Sequence, residues 1–140
     1  RWLYNFPEVT VILSGVSTME QLKQNIEIFD KAEANSMTAE ELELVTKVKE
    51  LYLSKIKVDC TRCNYCMPCP NGVAIPRVFA LYNDSAMYET VEEYAKQYQN
   101  LIKKDEDASK CIECGDCESV CPQNIEIIEK LKEAHEYLIV

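Results

Sequence analysis

The sequence lacks several features that define large classes of protein. It has no apolar run approaching the roughly 20 residues that a membrane-spanning helix needs, so we expect no membrane span. Its formal charge of −9 argues against binding to nucleic acid or to anionic membrane surfaces. Glycine is scarce, with three residues in 140. Because Glu, Lys, Leu and Ala are abundant, the composition favours helices over strands.

Cysteine is not scarce, and its spacing is the strongest signal in the chain. All eight cysteines lie in two runs: Cys60, Cys63, Cys66, Cys69, Cys111, Cys114, Cys117 and Cys121. Three thiols at every third residue can bind neighbouring irons, and a proline after the fourth thiol turns the backbone away from the metal. The pattern predicts two 4Fe-4S clusters. Free thiols for metal binding also imply a reducing compartment, so we expect a cytoplasmic protein.

The second run, residues 111–121, resembles the C-x2-C-x2-C-x3-C-P pattern of bacterial two-cluster ferredoxins. The first run lacks one residue before Cys69, which shortens the reach of that thiol by about 3.3 Å. In such ferredoxins the fourth cysteine of each run binds the other cluster. The resemblance implies one set of ligands formed by Cys60, Cys63, Cys66 and Cys121, and another formed by Cys69, Cys111, Cys114 and Cys117.

Three other interpretations of the cysteines compete. A disulfide framework conflicts with the absence of a signal peptide and with thiols placed three residues apart on one loop. Two zinc sites with four thiolates each are chemically reasonable, although zinc ligands usually come as two separated C-x2-C pairs. After aerobic expression, zinc is also a candidate to occupy these sites in place of iron. Structural thiols without metal are the third interpretation.

The first part of the chain has the pattern of a β-turn-α unit. Residues 9–13 form a short apolar run of the kind found in a strand buried on both faces. Thr18 and Gln21 then form a capping box, and Met19, Leu22 and Ile26 predict the core-facing side of a helix. Because a doubly buried strand needs neighbours, we expect this segment to be the last unit of a larger α/β protein. Alone, it should pack irregularly or against another copy.

Residues 1–25, RWLYNFPEVTVILSGVSTMEQLKQN, resemble the final strand and helix of the aldo-keto reductase barrel, a TIM barrel. The resemblance implies that, in a full-length parent, the adenosine phosphate of NAD(P)H is bound by Gly15, Val16, Ser17, Thr18, Gln21, Gln24 and Asn25. Where many members carry a lysine and an arginine for the 2′-phosphate, this chain has Gly15 and Gln21. The family's catalytic Asp, Tyr, Lys and His lie in earlier strands outside this chain, so we do not expect the chain alone to reduce a carbonyl.

The remainder of the chain predicts a mainly α domain. Helix starts are indicated at Thr38, which forms a capping box with Glu41, at Ile75, at Thr90 and near Asn124. With helices between its cysteine runs, this part resembles the α-helical ferredoxin domain of fumarate reductases and related enzymes. The runs also resemble those of bacterial aldo-keto reductases with a C-terminal ferredoxin domain. We predict a barrel remnant at 1–35 and a 4Fe-4S helical ferredoxin-like domain at 36–140.

The predicted function is electron transfer within an aldo-keto-reductase-like oxidoreductase, with a redox partner protein or the barrel itself as partner. The alternatives are a metal-stapled docking domain without redox turnover and a sensor of oxidants. Tyr65 and Met67 are predicted to shield a cluster from water. Pro70 and Pro122 are predicted to support the metal sites, and His135, the only histidine, to have a packing or surface role.

Overall fold

The fold is taken from a computed structural model that describes residues 1–140. Six α-helices follow along the chain: α1 (Met19–Asp30), α2 (Ala39–Lys55), α3 (Ile75–Tyr88), α4 (Val91–Ile102), α5 (Asp116–Ser119) and α6 (Ile127–Leu138). Two 3₁₀ turns span Leu3–Asn5 and Ala108–Lys110. No residue lies in a β-strand, so the prediction of a mainly α chain is confirmed. None of the helices combines the length and the apolar character needed to cross a bilayer.

The helices begin where local sequence signals place them. The Thr18 hydroxyl accepts a hydrogen bond from the Gln21 amide at 3.2 Å, and the Gln21 side chain accepts one from the Thr18 amide. The Glu41 amide donates to the Thr38 hydroxyl at 3.3 Å, and the Glu41 carboxylate accepts from the Thr38 amide at 2.8 Å. Both predicted capping boxes therefore form, because each needs only residues within one turn.

The chain divides into two compact units, Arg1–Glu50 and Leu51–Val140, and the division falls within α2. A compact unit of this kind need not coincide with a domain in the evolutionary sense. The domain boundary predicted between residues 35 and 36 stays a prediction.

In the first unit, the predicted strand does not form, and the segment is irregular, as expected for it alone. Residues 9–13 have no regular secondary structure, and Val11 and Leu13 are 72% and 93% exposed. A strand needs a neighbouring strand to accept and donate its backbone hydrogen bonds, and this chain has none. The predicted β-turn-α unit is therefore a loop followed by α1.

The core positions predicted on α1 are also wrong. Met19, Leu22 and Ile26 are 66%, 41% and 59% exposed, and no residue of α1 is buried. The apolar spacing is that of an amphipathic helix, but spacing does not determine whether another element covers the apolar face. On α2 as well, Leu44 and Val48 are exposed, and none of its residues is buried.

The second unit contains the core of the molecule, formed where α3, α4 and α6 pack against one another. Its buried apolar residues include Val58, Val73, Ile75, Val78, Phe79, Leu81, Tyr98, Leu101, Ile127, Leu131, Ala134 and Leu138. α4 buries Ala95, Tyr98 and Leu101, as its apolar spacing predicts. A cysteine run directly precedes α3 and another directly precedes α6, so the helical core positions both runs.

Candidate metal centre

The two cysteine runs fold into loops with positive φ values at equivalent positions. We call residues 60–69 loop 1 and residues 111–121 loop 2. The residue before the second cysteine has a positive φ in both loops, 56° at Arg62 and 59° at Glu113. The residue after it does too, with 64° at Asn64 and 81° at Gly115. Left-handed residues of this kind occur in nests, in which successive amides point into a concavity that attracts anions, as at many iron–sulfur sites.

The two loops also end in the same way. In each loop, the carbonyl of the fourth cysteine accepts a hydrogen bond from the amide three residues later. The Gly72 amide donates to the Cys69 carbonyl at 3.0 Å, and the Asn124 amide donates to the Cys121 carbonyl at 3.1 Å. Gly72 and Asn124 both have positive φ values, of 79° and 51°. α3 and α6 then begin six residues after the respective fourth cysteine. Each loop and its helix therefore form one copy of a structural repeat.

The copies differ between the third and fourth cysteines, where loop 2 has one more residue. The Met67 amide donates to the Asn64 carbonyl at 3.0 Å, and the equivalent Glu118 amide donates to Gly115 at 3.1 Å. Loop 2 then continues as the short helix α5, which accommodates the extra residue before Cys121. The one-residue difference in sequence is thus confined to this segment.

Two cavities divide the eight thiols. The first, which we call the loop 1 cavity, has a volume of about 20 Å³ and is lined by Cys60, Cys63, Cys66 and Cys121. The second, the loop 2 cavity, has a volume of about 210 Å³ and is lined by Cys66, Cys69, Cys111, Cys114 and Cys117. The fourth cysteine of each loop therefore lines the cavity of the other loop, and Cys66 borders both.

The thiols surround these cavities and are not bonded to one another. All eight cysteines are free, so the structure contains no disulfide framework. No three Cys, His, Asp or Glu side chains converge closely enough to hold a single metal ion. The donor set is thus a ring of separate thiols around each space. Separate thiols are the donor set of a cubane cluster, in which each thiolate binds a different iron.

Comparison with known protein families identifies this part of the chain. Residues 59–126 match the family described as a 4Fe-4S dicluster domain, and the matched residues include all eight cysteines and both loops. This part of the chain is a ferredoxin-type 4Fe-4S dicluster domain. No curated protein and no solved structure matches the chain.

Burial acts against ionisation of two thiols in the dicluster domain. Burial raises the pKa of the Cys117 thiol to about 11, and the nearby Glu118 and Cys111 add to this effect. Burial also raises the pKa of Cys66, and the charges of Cys60, Cys63 and Cys121 raise it further. Crowded thiolates repel one another, whereas cationic iron attracts them and favours the deprotonated form that binds metal.

Hydrogen bonds outside the cysteine pattern connect the segments that flank the two loops of the dicluster domain. The Asn71 side chain donates to the Lys110 carbonyl at 2.9 Å, and the Ala74 amide donates to the Glu106 carbonyl at 2.9 Å. The Glu118 carboxylate accepts from the Ile128 amide at 2.8 Å and so joins loop 2 to the first turn of α6. These contacts were not foreseen, because they join residues remote in sequence.

A buried polar group supports the turn that leads into loop 2. The Tyr98 hydroxyl lies 2.8 Å from His135 Nδ1 and accepts a hydrogen bond from the Ala108 amide at 3.0 Å. The Asp107 carboxylate accepts from the Ser109 amide at 2.9 Å. Tyr98 and Asp107 are almost fully buried. The packing role predicted for His135 is confirmed by its contact with Tyr98.

The other residues singled out from the sequence all line a cavity. Tyr65 and Met67 belong to loop 1 but line the loop 2 cavity, and Tyr65 is 68% exposed. Pro70 lines the loop 2 cavity and Pro122 the loop 1 cavity. The apolar base of the loop 1 cavity is supplied by Ile75, Phe79 and Ile127, each at most 2% exposed.

The predicted nucleotide-binding residues lie in the first unit, near the start of α1. The Ser17 amide donates to the Gln21 side chain at 3.0 Å, and the Asn25 side chain donates to the Ser14 hydroxyl at 2.7 Å. Gly15, Ser17 and Thr18 are exposed. These contacts are those of an N-terminal helix cap, and a role in binding NAD(P)H stays a prediction.

Proposed function

We propose that this protein is an electron-transfer module that binds two 4Fe-4S clusters. The observation that carries the proposal is the division of the eight thiols between two cavities within the dicluster domain. A bound 4Fe-4S cluster takes up and releases single electrons. Positive φ values at equivalent positions of the two loops suit amides that point toward an anionic cluster. The buried apolar base of the loop 1 cavity limits the access of water.

We propose crossed ligand sets, as the resemblance to two-cluster ferredoxins implies. Cys60, Cys63 and Cys66 would bind one cluster together with Cys121, and Cys111, Cys114 and Cys117 would bind the other together with Cys69. The linings of the cavities support this assignment, because Cys121 borders the loop 1 thiols and Cys69 borders the loop 2 thiols. Crossing joins two segments distant in sequence, so metal binding also stabilises the fold.

Paired double variants test the crossing. In crossed sets, Cys60 and Cys121 bind the same cluster, so Cys60→Ser with Cys121→Ser should remove one cluster and retain about half of the iron. Cys60→Ser with Cys69→Ser should affect both clusters and remove most of the iron. Uncrossed sets require the opposite pattern, which would overturn the assignment. Iron analysis of anaerobically prepared protein gives the answer.

Redox activity is tested by a potentiometric titration followed by electron paramagnetic resonance. The proposal predicts reversible signals from two clusters. Metal that does not cycle, or zinc in place of iron, would support instead the metal-stapled docking domain that shares the same ligands. Loss of the clusters on exposure to oxidants, with a matching change in function, would indicate the sensor.

We further propose that the module serves an aldo-keto-reductase-like oxidoreductase. This proposal rests on the resemblance of residues 1–25 and on the positions that would contact NAD(P)H, among them Gly15, Ser17, Thr18, Gln21 and Asn25. The intact mass of the protein purified from its native cells is the direct test. A mass larger by a barrel domain, together with NAD(P)H binding, would support the proposal, and a native mass equal to that of this chain would overturn it.

A further inference from the structure

The rims of the two cavities differ in apolar character. Three large apolar side chains that line the loop 2 cavity are exposed to solvent: Tyr65 at 68%, Ile112 at 63% and Val120 at 47%. The large apolar residues of the loop 1 cavity are buried or partly buried, with Ile75, Phe79 and Ile127 at its base. Its exposed lining includes the polar Thr61 and Gln123, with Pro122 beside them. Exposed apolar side chains around a site, with charged residues beside them, are typical of a surface that binds another protein.

The loops also differ in charge. Loop 2 contains three carboxylates, Glu113, Asp116 and Glu118, and no lysine or arginine, whereas loop 1 contains Arg62 and no carboxylate. Lys132 contacts Glu113 at 3.1 Å from α6. Asp116 is exposed and is the one charged residue that lines the loop 2 cavity. The apolar rim is therefore bordered by negative charge on a protein whose net charge is −9.

We propose that Tyr65, Ile112, Val120 and Asp116 form a docking face for a basic one-electron carrier protein. The proposal rests on the proposed function and adds that electrons enter or leave beside loop 2. The partner presents an apolar centre surrounded by lysine and arginine. One electron passes from the reduced protein to the oxidised carrier, so the protein is oxidised by one electron and the carrier is reduced by one electron.

Charge decides between this partner and a second copy of the chain. Two copies would bring together the same carboxylates on molecules of −9 each, and like charges across an interface are unfavourable. A basic carrier complements both the rim and the overall charge. Electrostatic attraction also raises the rate of encounter, and salt weakens that effect.

The test measures binding of a small basic c-type cytochrome to the cluster-loaded protein by isothermal titration calorimetry, with both proteins oxidised so that no turnover occurs. Ile112→Lys places a positive charge on the docking face. Thr61→Lys is the matched control, because Thr61 and Ile112 each follow the first cysteine of their loop and both are exposed. Val120→Lys is a second variant of the docking face, placed between the third and fourth cysteines of loop 2.

The proposal predicts that Ile112→Lys and Val120→Lys each raise the dissociation constant about ten-fold or more, whereas Thr61→Lys leaves it unchanged. Binding to the unmodified protein should weaken as salt is raised. Equal effects of Ile112→Lys and Thr61→Lys, or a larger effect of Thr61→Lys, would overturn the proposal. Salt-independent binding would also overturn it, as would a dimer of this chain that Ile112→Lys dissociates.

Electron transfer to benzoquinone, a small uncharged oxidant, separates failure of this inference from failure of the proposed function. The reduced protein loses electrons to the quinone without protein docking. If the loaded protein reduces the quinone while the lysine variants bind cytochrome equally well, the docking face is wrong and the electron-transfer function stands. If iron is bound but no electrons reach the quinone, the proposed function itself fails.

Discussion

At the scale of single residues, the buried hydroxyl of Tyr98 matters most for the approach to loop 2. It accepts a hydrogen bond from the Ala108 amide and lies 2.8 Å from His135 Nδ1, and the turn it holds ends at Lys110, directly before Cys111. Burial raises the pKa of Tyr98 to about 12, so the hydroxyl is neutral under ordinary conditions. One side chain thus connects α4, α6 and the start of loop 2.

Tyr98→Phe should lower the free energy of unfolding by about 1–3 kcal/mol, because the buried Ala108 amide loses its hydrogen-bond acceptor. The measurement is urea unfolding of the cluster-loaded protein. Tyr137→Phe is the control, since Tyr137 is only half-buried and its change should be within about 0.5 kcal/mol. Equal losses in the two variants would show that the Tyr98 hydroxyl has no special role.

The raised pKa of Tyr98 also predicts a dependence on alkaline pH. The folded state holds the phenolic proton more tightly than the unfolded state, whose pKa is near the ordinary value of 10. The contribution to stability is therefore complete below pH 10 and is lost as the pH rises toward about 12. The difference in unfolding free energy between the unmodified protein and Tyr98→Phe should shrink over this range. A difference that stays constant across it would contradict the assigned pKa.

At the scale of elements, the repeat of loop and helix organises the second unit. Loop 1 leads into α3 and loop 2 into α6, and these helices pack against each other and against α4. The left-handed residues at equivalent positions give both loops the same path. Residues with a Cβ atom are destabilised when φ is positive, whereas glycine is not. The conformation of the loops therefore depends on which residues occupy these positions.

Substitutions at Asn64, where φ is 64°, test this conformation. Asn64→Val should lower the free energy of unfolding by about 1–2 kcal/mol, because a β-branched side chain strains the left-handed region. Asn64→Gly should cost less, since glycine adopts positive φ without strain. Chemical unfolding of the two loaded variants in parallel measures the difference. A glycine variant less stable than the valine variant would argue against a left-handed residue at this position.

Local signals explain which elements could be predicted. The capping boxes at Thr18 and Thr38 and the start of α3 at Ile75 each depend on a few adjacent residues, and all three appear in the structure. The short apolar run at residues 9–13 predicts a strand, which does not form because pairing requires a partner elsewhere in the chain. The apolar face of α1 fails as a core prediction for the same reason: periodicity does not supply the covering element.

The candidate site shows the same division between local and non-local information. Cysteine spacing locates both loops, and the family match covers them. Spacing does not reveal that Ile127 closes the base of the loop 1 cavity, or that Asn71 contacts Lys110. Glu118 on α5 is a further example, since its contact with Ile128 depends on the position of α6. Such contacts follow from packing and not from any short pattern.

At the scale of the whole molecule, metal and helical core are expected to be interdependent. The second unit has a modest core, and two of its three packed helices begin directly after cysteine loops. Without metal, the eight thiols around the two cavities contribute little to the free energy of folding. With metal, the crossed ligands would join both loops, so the free energy of metal binding becomes free energy of folding.

Chelation of iron under anaerobic conditions should therefore remove much of the helical circular dichroism and broaden or abolish the thermal transition. The loss should exceed that caused by Leu81→Ala, a core substitution expected to cost about 2–5 kcal/mol while leaving a cooperative fold. Leu81 is 1% exposed and lines neither thiol cavity, which makes it a suitable control. An iron-free protein with full helical signal and a sharp transition would show that folding does not depend on the clusters.

The most direct test of the account is the content of iron, acid-labile sulfide and zinc in protein prepared without oxygen. Two 4Fe-4S clusters correspond to about eight irons and about eight sulfides per chain, with little zinc, and this is the predicted result. A colourless preparation that lacks iron and sulfide, or one whose thiols hold zinc instead, would contradict it.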